Sequence, residues 1–273
     1  MIHIIGASGY IGKKLQSFLK IHGIGNLKLY SDSSIEGYIK LNLLDFDISD
    51  INDFNKGDIV VLLAAVSSPD VCENNYQFAR LVNVVGTRKL INECIKREVK
   101  VLFFSSDVVY GFNQGVNDEN THPNPHGNYA KMKVEIEEQF KNYSLFKVFR
   151  LSYVYSEEDK FATYLKKCSE ENVIPEVFNG FNRNVVHIDD VLMCIMNIIL
   201  DFNLVNNSVI NICGCDLLSR VDLARIFFED NSDKFKIIDV PNDMLKSRPN
   251  TIQTKSLYIE KLLGRKPRKI TKI

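Results

Sequence analysis

Two hydrophobic periodicities alternate along the first half of the chain. Short, wholly apolar runs at 2–5, 59–65 and 101–104 read as strands buried on both faces. Residues 27–30 and 145–151 read as further strands. Between them, apolar residues recur at helical spacing: Ile11, Leu15, Phe18 and Leu19 form one stripe over 11–21, and similar patterns run over 73–97 and 128–142. This rhythm of strand, helix and strand predicts an α/β fold with a parallel sheet and helices on both faces. The second half is more mixed. It predicts helices over 161–171, 189–202, 219–228 and 255–263 and a strand over Val209–Ile212. Ser219 and Asp222 have the spacing of a capping box, Asp189 and Asp190 put acid at a helix start, and Gly264 suits a helix end.

The chain has 273 residues, enough for one large or two modest domains without disulfide or metal staples. Lys+Arg and Asp+Glu are both 34, a balance that argues against a general nucleic-acid or membrane-surface binder. A local cationic groove for a phosphorylated ligand stays open. The longest apolar stretch, 191–200, is too short to span a bilayer and contains Asn197. The N-terminus enters a strand with no basic leader, and the six cysteines are scattered, so a cytoplasmic protein with reduced thiols is expected. His187 beside Asp189 and Asp190 resembles a metal corner, but no second His or Cys stands at a ligand spacing, so no metal is expected. The Asn-, Gly- and Pro-rich stretch 111–127 reads as a functional loop, and 265–272 as a basic, solvated tail.

Chemistry enters with three short motifs. Gly6, Gly9 and Gly12 follow the first strand and open the first helix. Such a turn brings backbone N–H groups close to a dinucleotide pyrophosphate. An acid at the end of the second strand would bind the ribose hydroxyls of NAD. Asp32 lies 20 residues after Gly12 and can serve, unless the strand end falls at Tyr30 or Ser31. NAD and NADP both remain open. Tyr129 and Lys133 share a helix face at i, i+4 spacing. A free tyrosine titrates near pH ~10, and a nearby ammonium is expected to lower that value. Ser105, Ser106 and Asp107 follow a strand, where open α/β sheets place ligands, and a hydroxyl there can bond the oxygen that Tyr129 protonates. Arg183 and Arg248 are candidates for substrate phosphates, with a surface salt bridge as the alternative for each. Phe178, Phe181 and Tyr153 suit either stacking on a nucleobase or core packing.

Taken in order, these segments resemble the extended short-chain dehydrogenase/reductase superfamily in its sugar-nucleotide branch. The resemblance rests on GASGYIG at 6–12, LLAAVSSPD at 62–70, NVVGTRKLI at 83–91, FFSSDVVYG at 103–111, PNPHGNYAKMK at 123–133, FRLSYVY at 149–155, VVHIDDV at 185–191 and SRVDLA at 219–224. It implies a Rossmann dinucleotide-binding domain over 1–155, also receiving roughly 185–213, and a smaller C-terminal α/β part over 156–273 that binds a nucleotide sugar. By motif, Ser106, Tyr129 and Lys133 become the catalytic triad, with Asp107 helping to place the sugar. Gly6, Gly9, Tyr10, Ile11 and Gly12 hold the pyrophosphate, and Ala64 and Ala65 line the nicotinamide side. Asn42 and Leu43 lie near the adenine, with Asn83 as a secondary contact. Asn42 stands where an acid is more usual.

Within the superfamily, Val108 disfavours dehydration, whereas Ser106-Asp107 and Arg248-Pro249 resemble the 4-dehydrorhamnose reductases. The VVYG ending at 108–111 and the His187-Ile188-Asp189 stretch look more epimerase-like. Three readings follow. The first is NAD(P)H-dependent reduction of a 4-keto nucleotide sugar, of the dTDP-4-dehydrorhamnose reductase type. The second is a nucleotide-sugar epimerase with bound NAD, and the third a non-catalytic dinucleotide-binding regulatory subunit. A homodimer through the helices at 73–97 and 128–142 is expected by analogy.

Overall fold

A computed structural model describes residues 1–271. In chain order the strands are β1 (Ile2–Ile5), β2 (Leu27–Ser31), β3 (Ile39–Lys40), β4 (Ile59–Leu62), β5 (Lys100–Ser106), β6 (Val116–Asn117), β7 (Phe146–Leu151) and β8 (Val154–Tyr155). They continue with β9 (Glu176–Phe178), β10 (Asn182–Asn184), β11 (Val186–His187), β12 (Val209–Ile212), β13 (Leu217–Leu218), β14 (Lys236–Ile238) and β15 (Thr251–Thr254). The helices are α1 (Tyr10–Ile21), α2 (Pro69–Asn74), α3 (Tyr76–Arg80), α4 (Thr87–Lys96) and α5 (Asn128–Phe140). After them come α6 (Lys160–Glu170), α7 (Ile188–Leu200), α8 (Arg220–Phe227), α9 (Asn242–Ser247) and α10 (Ile259–Leu263).

Seven parallel strands form the central sheet in the order β12-β7-β5-β4-β1-β2-β3. On one face, Leu15 and Leu19 of α1 pack with Val191, Ile195 and Ile198 of α7. On the other, Leu90 and Ile91 of α4 pack with Met132, Ile136 and Phe140 of α5. Strands covered on both sides have no solvent face, which is why they read as unbroken apolar runs. Strand order reverses between β1 and β4, and the crevice at their C-terminal ends is where this architecture places ligands. A second sheet, β13-β10-β15-β6, and the pairs β11-β8 and β14-β9 come mostly from the second half.

Several expectations change in the structure. The apolar run 59–65 is a strand only to Leu62. The N–H groups of Leu63 and Ala64 both donate to Ile5 O, at 2.9 and 3.0 Å, and turn the chain out of the sheet. The helix expected over 73–97 is divided. Asn75 leaves helical geometry at φ −133°, ψ 60°, and a π-helical turn covers Leu81–Gly86. The loop 111–127 is tied down at β6, which pairs with β15, and only its end at His126 and Gly127 reaches the main cleft. His187, rather than an acid, caps α7, its Nδ1 accepting from Asp189 N at 3.2 Å. The tail is not simply solvated: Arg265 and Arg268 bond the fully buried Asp190 at 2.5 and 3.3 Å, and Ile270 is buried. Lys272, the end of that expected tail, lies outside the described residues.

Candidate active site

One cleft of about 1170 Å³ opens at the crevice where strand order reverses. It gathers every site residue expected from the sequence except Asn83. Asn83 is buried, and its carboxamide is spent on one backbone unit: Oδ1 accepts from Val66 N at 2.8 Å and Nδ2 donates to Val66 O at 2.9 Å. Val66 lines the cleft, so the Asn83 carboxamide holds a strip of its wall.

The glycine turn forms the floor. Gly6 has φ +86°, and a Cβ there would stand 2.7 Å from Ala64 N, so β1 and the segment after β4 meet with no room for a side chain. Gly9 caps α1 without a side chain, and the first turn carries no acid. The first N–H groups of a helix have no intrahelical acceptor, so this terminus suits the pyrophosphate of a dinucleotide. At one end of the cleft, β2 stops at Ser31, whose hydroxyl bonds Ser8 Oγ at 3.0 Å. Tyr30 is fully buried beside His3, Asp53 and Phe54, which removes it from the ribose position. Asp32 is the first residue beyond the strand and lines the cleft, as do Asn42 and Leu43. Asn42 Oδ1 accepts from Leu44 N at 3.0 Å, a turn bond that an acid in its place could equally make.

Tyr129, Lys133 and Ser106, the groups expected to handle a proton, line the cleft together. Tyr129 projects from the first turn of α5, and Lys133 one turn later is almost wholly buried, with Nζ donating to Phe104 O at 2.7 Å. Its ammonium is 5.6 Å from the Tyr129 ring centroid. Burial pushes Lys133 down to about 8, against the opposing pull of the Glu137 carboxylate. Tyr129 moves the other way from the sequence expectation: burial, then the charges of Cys72 and Asp107, raise it above its ordinary value. Burial dominates, so the free site holds a protonated phenol. Ser106 ends β5, where its hydroxyl accepts from Val108 N at 3.4 Å and lies 3.2 Å from Asp107 Oδ1.

Asp107 and the arginines shape the remaining wall. Asp107 is buried, accepts from Ser152 Oγ at 2.9 Å and stands 3.7 Å from Arg183 Nε. Burial raises its pKa, with Arg183 opposing. Arg183 does not form a surface salt bridge. It is a nearly buried brace whose Nη1 donates to Asn182 O and Asn250 O, at 2.7 and 3.2 Å, and whose Nη2 donates to Pro249 O at 2.9 Å. Arg248 reaches over to the exposed Asp70 of α2. Phe178, Phe181 and Tyr153 all line the cleft, the two phenylalanines edge to face at 6.0 Å. Arg220, also in the lining, was not singled out in the sequence. Its only local signal, a basic residue inside a capping box, reads as a helix start.

The family model for the NAD dependent epimerase/dehydratase family matches residues 2–213, and the chain belongs to that family. The family is described as NAD dependent, and NAD is the one of the two cofactors left open by the sequence that this description names. Among curated relatives, the N-acetyl-alpha-D-glucosaminyl-diphospho-ditrans,octacis-undecaprenol 4-epimerase of Escherichia coli O157:H7 is 32% identical over 146 residues, 51% of this chain and 42% of that protein. Methionine adenosyltransferase 2 subunit beta of Xenopus tropicalis is 31% identical over 134 residues, 48% of this chain and 40% of that one. A probable low-salt glycan biosynthesis reductase of Haloferax volcanii is 28% identical over 160 residues, 56% and 53% of the two chains. The matches thus span about half the length of these relatives or less. The fold is shared with a UDP-glucose 4-epimerase of Thermotoga maritima solved with UDP-glucose (TM-score 0.81, 21% identity, 98% of this chain and 93% of that one). It is shared too with a hypothetical dTDP-4-dehydrorhamnose reductase of Sulfolobus tokodaii (TM-score 0.79, 23% identity, 97% and 95%).

Proposed function

We propose that the chain reduces the keto group of a 4-keto nucleotide sugar with NADH, a reaction of the dTDP-4-dehydrorhamnose reductase type. The observation that carries this reading is the shared cleft: Ser106, Tyr129 and Lys133 line the same space as the glycine turn and Asp32. Asp32 takes the adenosine ribose hydroxyls, and the N-terminus of α1 takes the pyrophosphate. Bound NADH supplies the hydride. Tyr129 donates its phenolic proton to the carbonyl oxygen as the hydride reaches carbon, leaving an alcohol product. Lys133 stabilises the phenolate that remains, and Ser106 orients the carbonyl. A phenol that burial keeps protonated suits this reductive direction. Asp107 serves through Arg183 and Ser152. Residues 156–273, apart from the returning segment near 185–213, form the sugar side. Leu81 and Val85, each 48% exposed on the helical face that Arg80 and Arg88 pin to Glu135, suit a homodimer contact.

A second reading, epimerisation with retained NAD, draws on a different observation. Tyr10 on the glycine turn bonds Ser156 at 2.5 Å, and Lys14 of α1 pairs with Glu158 at 2.8 Å. These two bridges tie the pyrophosphate helix to the segment before α6, an arrangement that would slow cofactor exchange. The test is NADH absorbance over time with a panel of 4-keto-6-deoxy nucleotide sugars. Stoichiometric oxidation supports the reductase. A flat trace with NAD retained through purification supports the epimerase, and a flat trace with weakly held cofactor supports a binding subunit.

A further inference from the structure

A second cavity, of about 410 Å³, lies against the sheet β13-β10-β15-β6. Side chains alternate between the two faces of a strand. Arg183 of β10 and Ile252 of β15 stand at the same register and both point inward, Arg183 to the main cleft and Ile252 to a small core with Val109 and Tyr110. Thr251 and Gln253 therefore face the other way, and there they line the cavity with Phe112, Asn113, Gln114 and Asn250. The cavity is thus backed by the same strands as the main cleft but opens on their reverse face. Its volume falls in the range of about 300–1,000 Å³ typical of small-molecule sites.

Among the described residues its lining holds no charged side chain and no histidine, and its polar groups keep capacity of both kinds. Asn113 Nδ2 donates to His122 O at 3.0 Å and Gln114 Nε2 to Phe112 O at 3.3 Å, which leaves two side-chain carbonyl oxygens as acceptors. Asn250 Oδ1 accepts from Phe181 N and Thr251 Oγ1 from Asn182 Nδ2, each at 2.8 Å, which leaves an amide N–H group and a hydroxyl proton as donors. Gln253 accepts from Asn117 Nδ2 through its main-chain oxygen, so its carboxamide keeps a donor and an acceptor. A phosphate or carboxylate brings acceptors only and would face the free Asn113 and Gln114 oxygens. An ammonium brings donors only and would face the Asn250 and Thr251 donors. A hydroxyl does both, so a group with several hydroxyls matches this set. Phe112, 40% exposed and set edge to face with His126 at 4.3 Å, adds a ring whose electron-rich face suits the C–H groups of a sugar.

We propose that this cavity is a binding site for a neutral sugar residue, separate from the site beside Tyr129. The shared chemistry is the uncharged, polyhydroxylated ring, and its source is a free monosaccharide or a residue within a glycan chain. The inference does not depend on any reaction at Tyr129.

The chain contains no tryptophan, so Phe112→Trp puts a single indole fluorophore in the cavity and keeps an aromatic ring there. The experiment titrates this NAD-saturated protein with glucose, rhamnose, N-acetylglucosamine and its β-1,4-linked disaccharide, against glycerol and inorganic phosphate. The expected result is a saturable change in emission with at least one of the sugars and none with glycerol or phosphate. Gln253→Ala in the same background weakens that binding by about threefold to tenfold with the thermal midpoint held, the loss expected of one or two neutral hydrogen bonds. Gln114→Ala, on the exposed loop, does the same without touching β15. Tyr129→Phe leaves the affinity unchanged. Saturation-transfer NMR shows the same sugar on the wild type and loses the signal in Phe112→Ala. Tighter binding of the disaccharide assigns a glycan segment, and equal or weaker binding a free sugar; both uphold the site. No saturable response to any of the sugars, an equal response to glycerol or phosphate, or folded Gln253→Ala and Gln114→Ala with unchanged affinity overturns it. A protein that binds sugar here but reduces no keto sugar keeps this inference and removes the proposed reaction instead.

Discussion

Lys133 is a buried ammonium whose charge the proposed chemistry uses. Burial holds its pKa at about 8, and Glu137, one turn further along α5, works against that depression. The sign follows directly: below about pH 8 the amine is charged and stabilises the Tyr129 phenolate, and above it the charge is lost. The rate of carbonyl reduction is therefore expected to fall as pH rises through about 8. In Glu137→Gln the same fall moves to lower pH, because the opposing negative charge is gone. A pH–rate profile of both proteins checks this, and an unshifted limb in the variant counts against it. The i, i+4 spacing of Tyr129 and Lys133 is visible in the bare sequence. The direction of the Tyr129 shift is not, because it depends on how deeply the rest of the chain buries the ring.

At the scale of elements, the segment 73–97 shows what periodicity conceals. Its apolar stripe reads as one helix, but the π-helical turn at Leu81–Gly86 places Asn83 on Val66 and Gly86 against the loop after β3. A Cβ at Gly86 would stand 1.8 Å from Leu43 O, so helix and loop touch backbone to backbone. Gly86→Ala is expected to destabilise the fold by about 1–3 kcal/mol through this overpacking, read by denaturant unfolding. Asn83→Ala frees both polar groups of Val66 and is expected to weaken NAD binding several-fold, at a stability loss of about 1–3 kcal/mol. Unchanged cofactor affinity in Asn83→Ala would show that the Val66 wall holds without it. The strands of the main sheet other than β3, and the glycine turn, were legible because their signals are local. The sheet β13-β10-β15-β6 was not, since its strands are two to four residues long, largely polar, and set by partners distant in sequence. Arg220 escaped for the same reason, since the Tyr153 and Phe161 rings it lies against come from other segments.

Across the whole molecule, a buried polar network joins α5, which carries Tyr129 and Lys133, to the sheet. Arg150 of β7 bonds Glu137 of α5 at 2.6 Å and the Tyr110 hydroxyl at 3.1 Å, and that hydroxyl lies 2.8 Å from Asn211 Oδ1 of β12. Both members of the ion pair are about 5% exposed or less. Removing one partner strands the other, so Glu137→Gln is expected to lose about 3–5 kcal/mol of unfolding free energy. A loss under about 1 kcal/mol would mean that water or a neighbour replaces the carboxylate. The central claim is that Tyr129 delivers a proton inside the cleft that holds NAD. Its most direct test is single-turnover reduction of a 4-keto nucleotide sugar by NADH-loaded protein, wild type against Tyr129→Phe. The prediction is a rate about 10²- to 10⁴-fold lower in the variant with NADH affinity intact. A Tyr129→Phe protein that binds NADH and turns over as fast as wild type would contradict the account.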